Sequence, residues 1–438
     1  MQKQLDRAEG LLLRNDLEGA ECELREVLRL DPDDAVAHNL LGVVHVGRRE
    51  YPAALTAFSA AVRLRTPYVD ALLNLAMACN RTGQHELALD ACEQALAACP
   101  GDALALVNQG VAWRCLGRPD DAKRSFGLAD PHPLARLEAG HTLLLEGDLE
   151  RGLPLFEARR SLRRIGAGLR GAPWPGDSRP HETLLVVPER GPGGFLLMSR
   201  FLPALADRFA RVVVHAPAAL ARLVAGIDTR LEVVTSLEGA HWDVWAPIMS
   251  LPLLLGVRTL DDVPTAPWIR VPATGGPAGR PRVGINWAGD PAHAWDTLRS
   301  TALDSFAPIL ELPDIEWVSL HRGTREFEAD AFGLAQPLRH ALDFQDTACV
   351  LAGLDLVIST DSAVADLTGA MGVRTCLMSA PCAHWRWNGW YPSVTLCAQQ
   401  EPGNWFGPIS GAAGALLEIV DAAALAAGTA GEPSARAA

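Results

Sequence analysis

The sequence predicts an α-helical solenoid followed by two α/β lobes built on parallel sheets. Three observations carry that expectation. A 34-residue period runs through the first third of the chain, apolar strands alternate with helical stretches after it, and two Gly/Pro-rich breaks divide the whole.

The period is read first, because a repeat decides the architecture of everything it covers. Ala20, Ala54, Ala88 and Ala122 are spaced by 34, and so are Leu24, Phe58, Cys92 and Phe126. Val27, Ala61, Ala95 and Ala129 keep the same step, and Gly42, Ala76 and Gly110 share one offset in the first helix of each unit. Small residues at that offset let paired helices approach closely. The Leu/Phe position is then expected to fill the space between neighbouring units. Units begin near Met1, Ala35, Val69 and Ala103. A shortened fifth unit follows from Leu134, where the step from Phe126 to Phe156 is only 30. Such units stack into a curved solenoid with a concave groove. The groove is expected either to hold a peptide or protein segment, or to serve only packing or dimerisation.

From Gly166 to Pro180 the chain reads "GAGLRGAPWPGDSRP", a linker by composition. Strands are then expected at "TLLVVP" (Thr183 to Pro188), "RVVVHA", "LEVVT" and "WDVWAP", with helices between them. The break "PATGGPAGRP" (Pro272 to Pro281) precedes a second series, "RVGINW", "WVSLH", "DLVIST", "RTCLM" and "VTLCAQ". Strand–helix alternation means parallel sheets with crossover helices. The domains expected are 1–165 for the solenoid, 182–271 and 282–421 for two Rossmann-like lobes, and 422–438 for a flexible tail. Two such lobes leave a cleft outside the carboxyl ends of their strands, where nucleotides bind.

Bulk composition narrows the class. At 438 residues the chain is too long for one core, and 49% hydrophobic with 21% charged residues describes a soluble globular protein. A net charge of −13 argues against general nucleic-acid binding. The nine cysteines are odd in number, form no CxxC pair and fall in apolar patterns, so reduced thiols and a cytoplasmic location are expected. The N-terminus has no apolar signal core, and no membrane span is expected.

Four stretches carry candidate chemistry. In "ERGPGGFLLMSR", from Glu189 to Arg200, a glycine turn follows a strand and opens a helix. The N–H groups of Gly191, Gly193 and Gly194 can there face a phosphate. In "LDLVISTDSAVADLTGAMG" a strand ends at Thr360, and Asp361 is expected to cap the next helix. Small Ser362 and Ala363 let an anion come close to that helix end. Asp366, one turn on, can accept hydrogen bonds from ribose hydroxyls, or else is a solvated Asp on a plainly capped helix. "VGINWAGDPAHAWDTLRSTAL" contains Asp290, His293, Arg299 and Ser300 on a loop after a strand. Arg299 is suited to clamp a diphosphate, and His293 to act as a base or an acceptor contact. In "HWRWNGWYP" the aromatic rings either wall a base or sugar or fill a core, with Arg386 stacked between Trp385 and Trp387.

These stretches, in this order over most of residues 150 to 410, resemble the heptosyltransferase-related bacterial glycosyltransferases, and the 34-residue pattern resembles the tetratricopeptide repeat. The combination is also distantly similar to O-linked N-acetylglucosamine transferase. The resemblance implies a GT-B fold, a metal-independent inverting mechanism, no cofactor, and a nucleotide-diphosphate sugar as donor. It implies a donor site of Arg299, Ser300, Asp361, Ser362, Ala363, Asp366 and the glycine turn. Two departures stand against it. The family's glycine loop ends in Gly-Asp, and that Asp serves as base, whereas this chain has Gly194; the family's His is here Asp366. Loss of a general base costs about 10²–10⁴ in rate. Glu189, Asp290, His293 and Asp361 are the candidate replacements. The expected function is transfer of a sugar to a protein or glycan acceptor recruited by the repeats. The alternative is a non-catalytic adaptor with a degenerate glycosyltransferase-like domain.

Overall fold

A computed structural model describes residues 1–189, 191–265, 267–274 and 280–426. Arg190 of the glycine turn, residues 275–279 of the second Gly/Pro break and 427–438 of the expected tail lie outside the described residues.

The repeats fold as ten helices: α1 (Gln2–Leu13), α2 (Leu17–Leu30), α3 (Ala35–Gly47), α4 (Tyr51–Leu64), α5 (Val69–Arg81), α6 (His85–Ala98), α7 (Ala103–Cys115), α8 (Pro119–Leu128), α9 (Pro133–Leu145) and α10 (Leu149–Phe156). Several starts are fixed by the aspartates that precede them. Asp16, Asp34 and Asp102 accept the N–H groups of Gly19, Ala37 and Ala105 at 2.9, 2.8 and 2.8 Å, satisfying donors that a helix start leaves free. Phe58 is fully buried on Gly42 inside its own helix pair, and Phe126 lies on Gly110 in the same way. Each ring also reaches the next unit, Phe58 clustering with Ala78 and Leu75 and Phe126 with Ala135, so the periodic position fills the space between units and the space within the pair. In the third unit a buried Ala76 and Cys92 take the same two places in a smaller version of the pair.

After the repeats, the described residues form ten strands in two all-parallel sheets. The first has the order β1-β5-β2-β3-β4, from β1 (Ala172–Pro173), β2 (Arg179–Val187), β3 (Phe209–His215), β4 (Leu231–Val234) and β5 (Val244–Pro247). The second has the order β10-β9-β8-β6-β7, from β6 (Arg282–Asn286), β7 (Glu316–Ser319), β8 (Leu356–Thr360), β9 (Thr375–Ser379) and β10 (Val394–Ala398). The stretch read as a linker is partly sheet. It carries β1, and its Trp174 is buried edge-on against Phe209 at 5.2 Å. The long last helix, Phe406–Ala426, runs into the expected tail and lays Ile409, Ala412 and Leu416 on the core of the second sheet. An 18-residue window of this helix, Phe406–Ala423, is long and apolar enough to cross a membrane by length and composition, which the core helix of a globular domain also satisfies.

Two compact units emerge. The first is Met1–Leu143 with Leu155–Leu162 and Pro291–Leu298; the second is Leu144–Pro154, Arg163–Asp290 and Arg299 onward. Both sheets lie in the second.

Candidate functional site

The carboxyl ends of β2 and β8 each lead into a helix, and the residues of interest gather where those helices start. After β8, the N-cap of helix Ala363–Met371 is Ser362, not Asp361. Asp361 is instead drawn into an ion pair with Nη2 of Arg386. A guanidinium within reach is a stronger partner for a carboxylate than a free backbone N–H. The Ser362 hydroxyl is also engaged. It accepts from Asn286 Nδ2 at 3.0 Å, and the same amide reaches Ser359 Oγ at 3.3 Å. Asn286 ends β6 and was not singled out in the sequence; its place as the one polar residue in the run "VGINW" was the available signal.

Asp366 has no solvent-accessible surface. Its Oδ1 accepts from Arg386 Nε and from the Tyr391 hydroxyl, each at 3.0 Å. Its Oδ2 has no hydrogen-bond partner and lies against Gly193, where a Cβ would come within 2.1 Å of it. The helix Pro192–Ser199 and the helix Ala363–Met371 thus meet at a glycine and a carboxylate. The ribose role expected for Asp366 is not what this geometry offers, because no edge of the carboxylate faces solvent. Burial pushes its carboxyl up to about 6 in spite of the adjacent Arg386. Burial opposes the charge on Arg386 too, but Asp361 and Asp366 together hold that guanidinium above its ordinary value.

A second buried guanidinium closes the other side. Arg200 follows the helix Pro192–Ser199 and donates to the carbonyls of Leu197, Pro264 and Trp390 at 3.0, 3.2 and 2.8 Å. Its Cζ lies 4.0 Å from the Trp268 ring and 5.0 Å from Tyr391. Burial pushes its pKa down to about 10. Trp385, Trp387, Trp390 and Tyr391 are all buried, so the aromatic stretch fills a core and walls no open cleft. The expected cation–π stack is present on one side, with Arg386 Cζ 4.6 Å over Trp387.

The glycine turn keeps its backbone geometry. Gly191 has φ 84°, a left-handed conformation that favours glycine, and precedes the helix as its N-cap. A side chain on Gly194 would meet Met249 Sδ at 3.1 Å. Glu189 Oε1 accepts the Met249 N–H at 3.2 Å, which ties the turn to the end of β5.

The remaining candidates serve their own loop. Ser300 Oγ accepts the Gly289 N–H at 2.9 Å, and Arg299 Nη2 reaches the Asp290 carbonyl at 3.4 Å while lying over Gly289. His293 belongs to the first compact unit, while Glu189, Asp290, Asp361 and Asp366 belong to the second. Its Nδ1 accepts the Trp295 N–H at 3.2 Å. Just beyond β7, His321 is buried with Nδ1 3.3 Å from the Ala288 carbonyl, its ring 4.8 Å from Trp287 and Nε2 unpartnered. Burial lowers its pKa and keeps the ring neutral. Among the described residues no three His, Cys, Asp or Glu side chains are arranged to hold a metal ion.

Chemically, the space where two helix N-termini could share an anion holds a buried carboxylate and a glycine in contact. Two like charges brought together in such a medium repel strongly.

Residues 5–63 and 44–103 match the family model described as tetratricopeptide repeat. Protein FlbA of Caulobacter vibrioides is 25% identical over 453 residues, covering 89% of this chain and 71% of that protein. Among solved structures, YrrB, described as a TPR protein with an unusual peptide-binding site, is 25% identical, covers 37% of this chain and 87% of its own, and has a TM-score of 0.31. A TPR protein of Thermus thermophilus is 21% identical over 38% of this chain and 93% of its own, with a TM-score of 0.34. The N-terminal region of this chain is therefore an array of tetratricopeptide repeats, followed by two parallel-sheet, Rossmann-like lobes.

Proposed function

We propose that the protein is an adaptor. Its repeats hold a polypeptide partner, and its two-lobed unit is a folded scaffold that has given up the donor site of the glycosyltransferases it resembles. The observation that carries this reading is the contact of Gly193 with the buried, ion-paired Asp366. That contact fills the start of both helices with a buried carboxylate, which disfavours an anion there, and Gly194 beside it supplies no base. Isothermal titration of the full chain with nucleoside diphosphates and nucleotide-diphosphate sugars should give no binding heat at millimolar ligand. A dissociation constant below about 1 mM, near −4 kcal/mol, would overturn the reading.

A second reading has its own support. Arg299, Ser300 and Asp290 sit on one loop near the carboxyl end of β6, and the glycine turn keeps its left-handed Gly191. In that reading the protein is a metal-independent inverting glycosyltransferase. Arg299, Ser300, Ser362, Ala363 and the glycine turn hold the diphosphate once the Gly193–Asp366 contact opens, and Glu189 or Asp290 serves as base. The same titration separates the two, since this reading requires saturable donor binding that Arg299→Ala weakens.

A further inference from the structure

The segment Pro291–Leu298 is part of the first compact unit, and its place there is specific. The Arg81 guanidinium, at the end of α5, lies 4.2 Å from the centre of the Trp295 ring. Thr297 Oγ1 donates to the Arg81 carbonyl at 3.1 Å. Trp295 also packs on the apolar cluster formed by Leu106, Val107, Val111, Ala122, Phe126 and Ala135.

The groups that receive Trp295 and Thr297 here, the Arg81 guanidinium and carbonyl and the apolar cluster, are supplied by the repeats. A cation over an indole face is attractive, and more so where water is displaced. A carbonyl at the carboxyl end of a helix is an acceptor left without an intrahelical donor, so a hydroxyl is a natural partner for it. The seat reads two side chains two residues apart, an aromatic ring and a hydroxyl. On the chain's own segment these are Trp295 and Thr297 in "AHAWDTL".

We propose that this seat is a docking site of the repeat array, filled in cis by Trp295 and Thr297. Its partner is a polypeptide presenting the same aromatic-x-Ser/Thr pattern in the turn-and-helix form of the cis segment, where Thr297 lies in the short helix Asp296–Arg299, and it takes the seat when the cis segment leaves. The proposal names the partner class of the adaptor reading and rests on the repeats binding polypeptide. The cis segment competes at the high effective concentration that tethering gives, so the wild type binds weakly in trans.

The probe is a fluorescein-labelled peptide with the sequence of residues 289–300, followed by fluorescence anisotropy against the full-length protein. Trp295→Ala should bind it at least ten-fold more tightly than the wild type, because the seat is emptied. Thr297→Ala removes only a hydroxyl and should bind it about three-fold more tightly, so the result does not depend on how stable the Trp295→Ala variant is. Adding Arg81→Ala to either variant should return binding to the wild-type level, and a peptide with Ala in place of Trp should bind none of them. Equal binding by the wild type and Thr297→Ala, or equal binding of the Trp-free peptide, would overturn the proposal. Nucleotide-sugar titration addresses the second unit alone, so failure of this docking site and failure of the scaffold reading give different results.

Discussion

In the repeats, Gly42 and Gly110 lie under the rings of Phe58 and Phe126, and a Cβ on either would come within 2.4 Å of a ring carbon. In the second unit Gly193 lies under a carboxylate oxygen, and a Cβ there would come within 2.1 Å of Asp366 Oδ2. The geometry is alike and the energetics are opposite. The first contact removes apolar surface from water and is favourable in itself. The second desolvates a charge, and is tolerable only because Arg386 and Tyr391 answer it from the other side. A close approach between helices is thus a packing device in one unit and a closed polar lock in the other.

The sharpest way to break this comparison is to remove the residue each contact leans on. Phe58→Ala leaves a cavity beside Gly42 and should cost about 3–5 kcal/mol. Arg386→Leu leaves Asp366 and Asp361 without their shared cation and should also cost about 3–5 kcal/mol, since breaking a buried pair strands a charge. The two differ in their rescue. Replacing Asp361, Asp366 and Arg386 together by apolar residues should recover much of the loss, as buried ion pairs often give way to apolar packing at no net cost. No second substitution is expected to rescue Phe58→Ala without refilling the volume. Urea unfolding of the four proteins checks this, and a triple variant no more stable than Arg386→Leu would mean the lock contributes stability of its own.

Adjacent glycines test the same contrast on a smaller scale. Gly193→Ala drives a methyl group into a carboxylate pinned by two donors, and should cost about 1–3 kcal/mol, the usual range for overpacking. Gly194→Ala meets only the Met249 thioether at 3.1 Å, the flexible end of a side chain that can yield. It should be neutral or gain up to about 1 kcal/mol, because Ala loses less entropy than Gly in a helix. Equal losses at the two positions, read from thermal melts, would mean that Asp366 is free to move and the lock is loose.

The sequence exposed the two units unequally for a physical reason. A repeat writes its packing once per period, so Gly42, Ala76 and Gly110 against Phe58, Cys92 and Phe126 were visible as a phase, though not that the ring also packs within its own pair. The strands were visible as apolar runs, except β1, whose two residues sit in a stretch of glycine and proline. The polar lock was not legible. Asp361, Asp366 and Arg386 each stood out alone, but nothing local says that a carboxylate is answered by a guanidinium twenty residues on. Asn286, Arg200 and His321 matter only through partners that the fold brings from elsewhere.

Glu138 in the repeats and Asp366 in the second unit offer the finest form of the comparison, because their carboxyls shift in opposite directions. In the repeats, burial works to raise the pKa of Glu138, but Arg114 and His141 override it and hold the group well below the ordinary range. In the second unit, burial wins and Asp366 rises from 3.8 to about 6. The linkage signs follow. A depressed carboxyl gives stability that is present above its unfolded pKa and lost as pH falls, whereas a raised one gives stability that is present below its unfolded pKa and lost as pH climbs through its folded value. Between pH 5 and 7 Glu138 stays ionised in both states and contributes no slope, while Asp366 gives up its proton in the folded protein. Arg386, Asp361, Tyr391 and Arg200 face it there. The wild type should therefore lose about 1 kcal/mol of stability relative to Asp366→Asn over that interval. Below pH 4.5 the slope should reverse for the other group, with the wild type losing stability relative to Glu138→Gln as the pH falls. Urea midpoints of the three proteins across the range measure both effects. Parallel curves for the wild type and Asp366→Asn between pH 5 and 7 would show that Arg386 neutralises Asp366 fully, making the contact with Gly193 a balanced ion pair rather than a strained one.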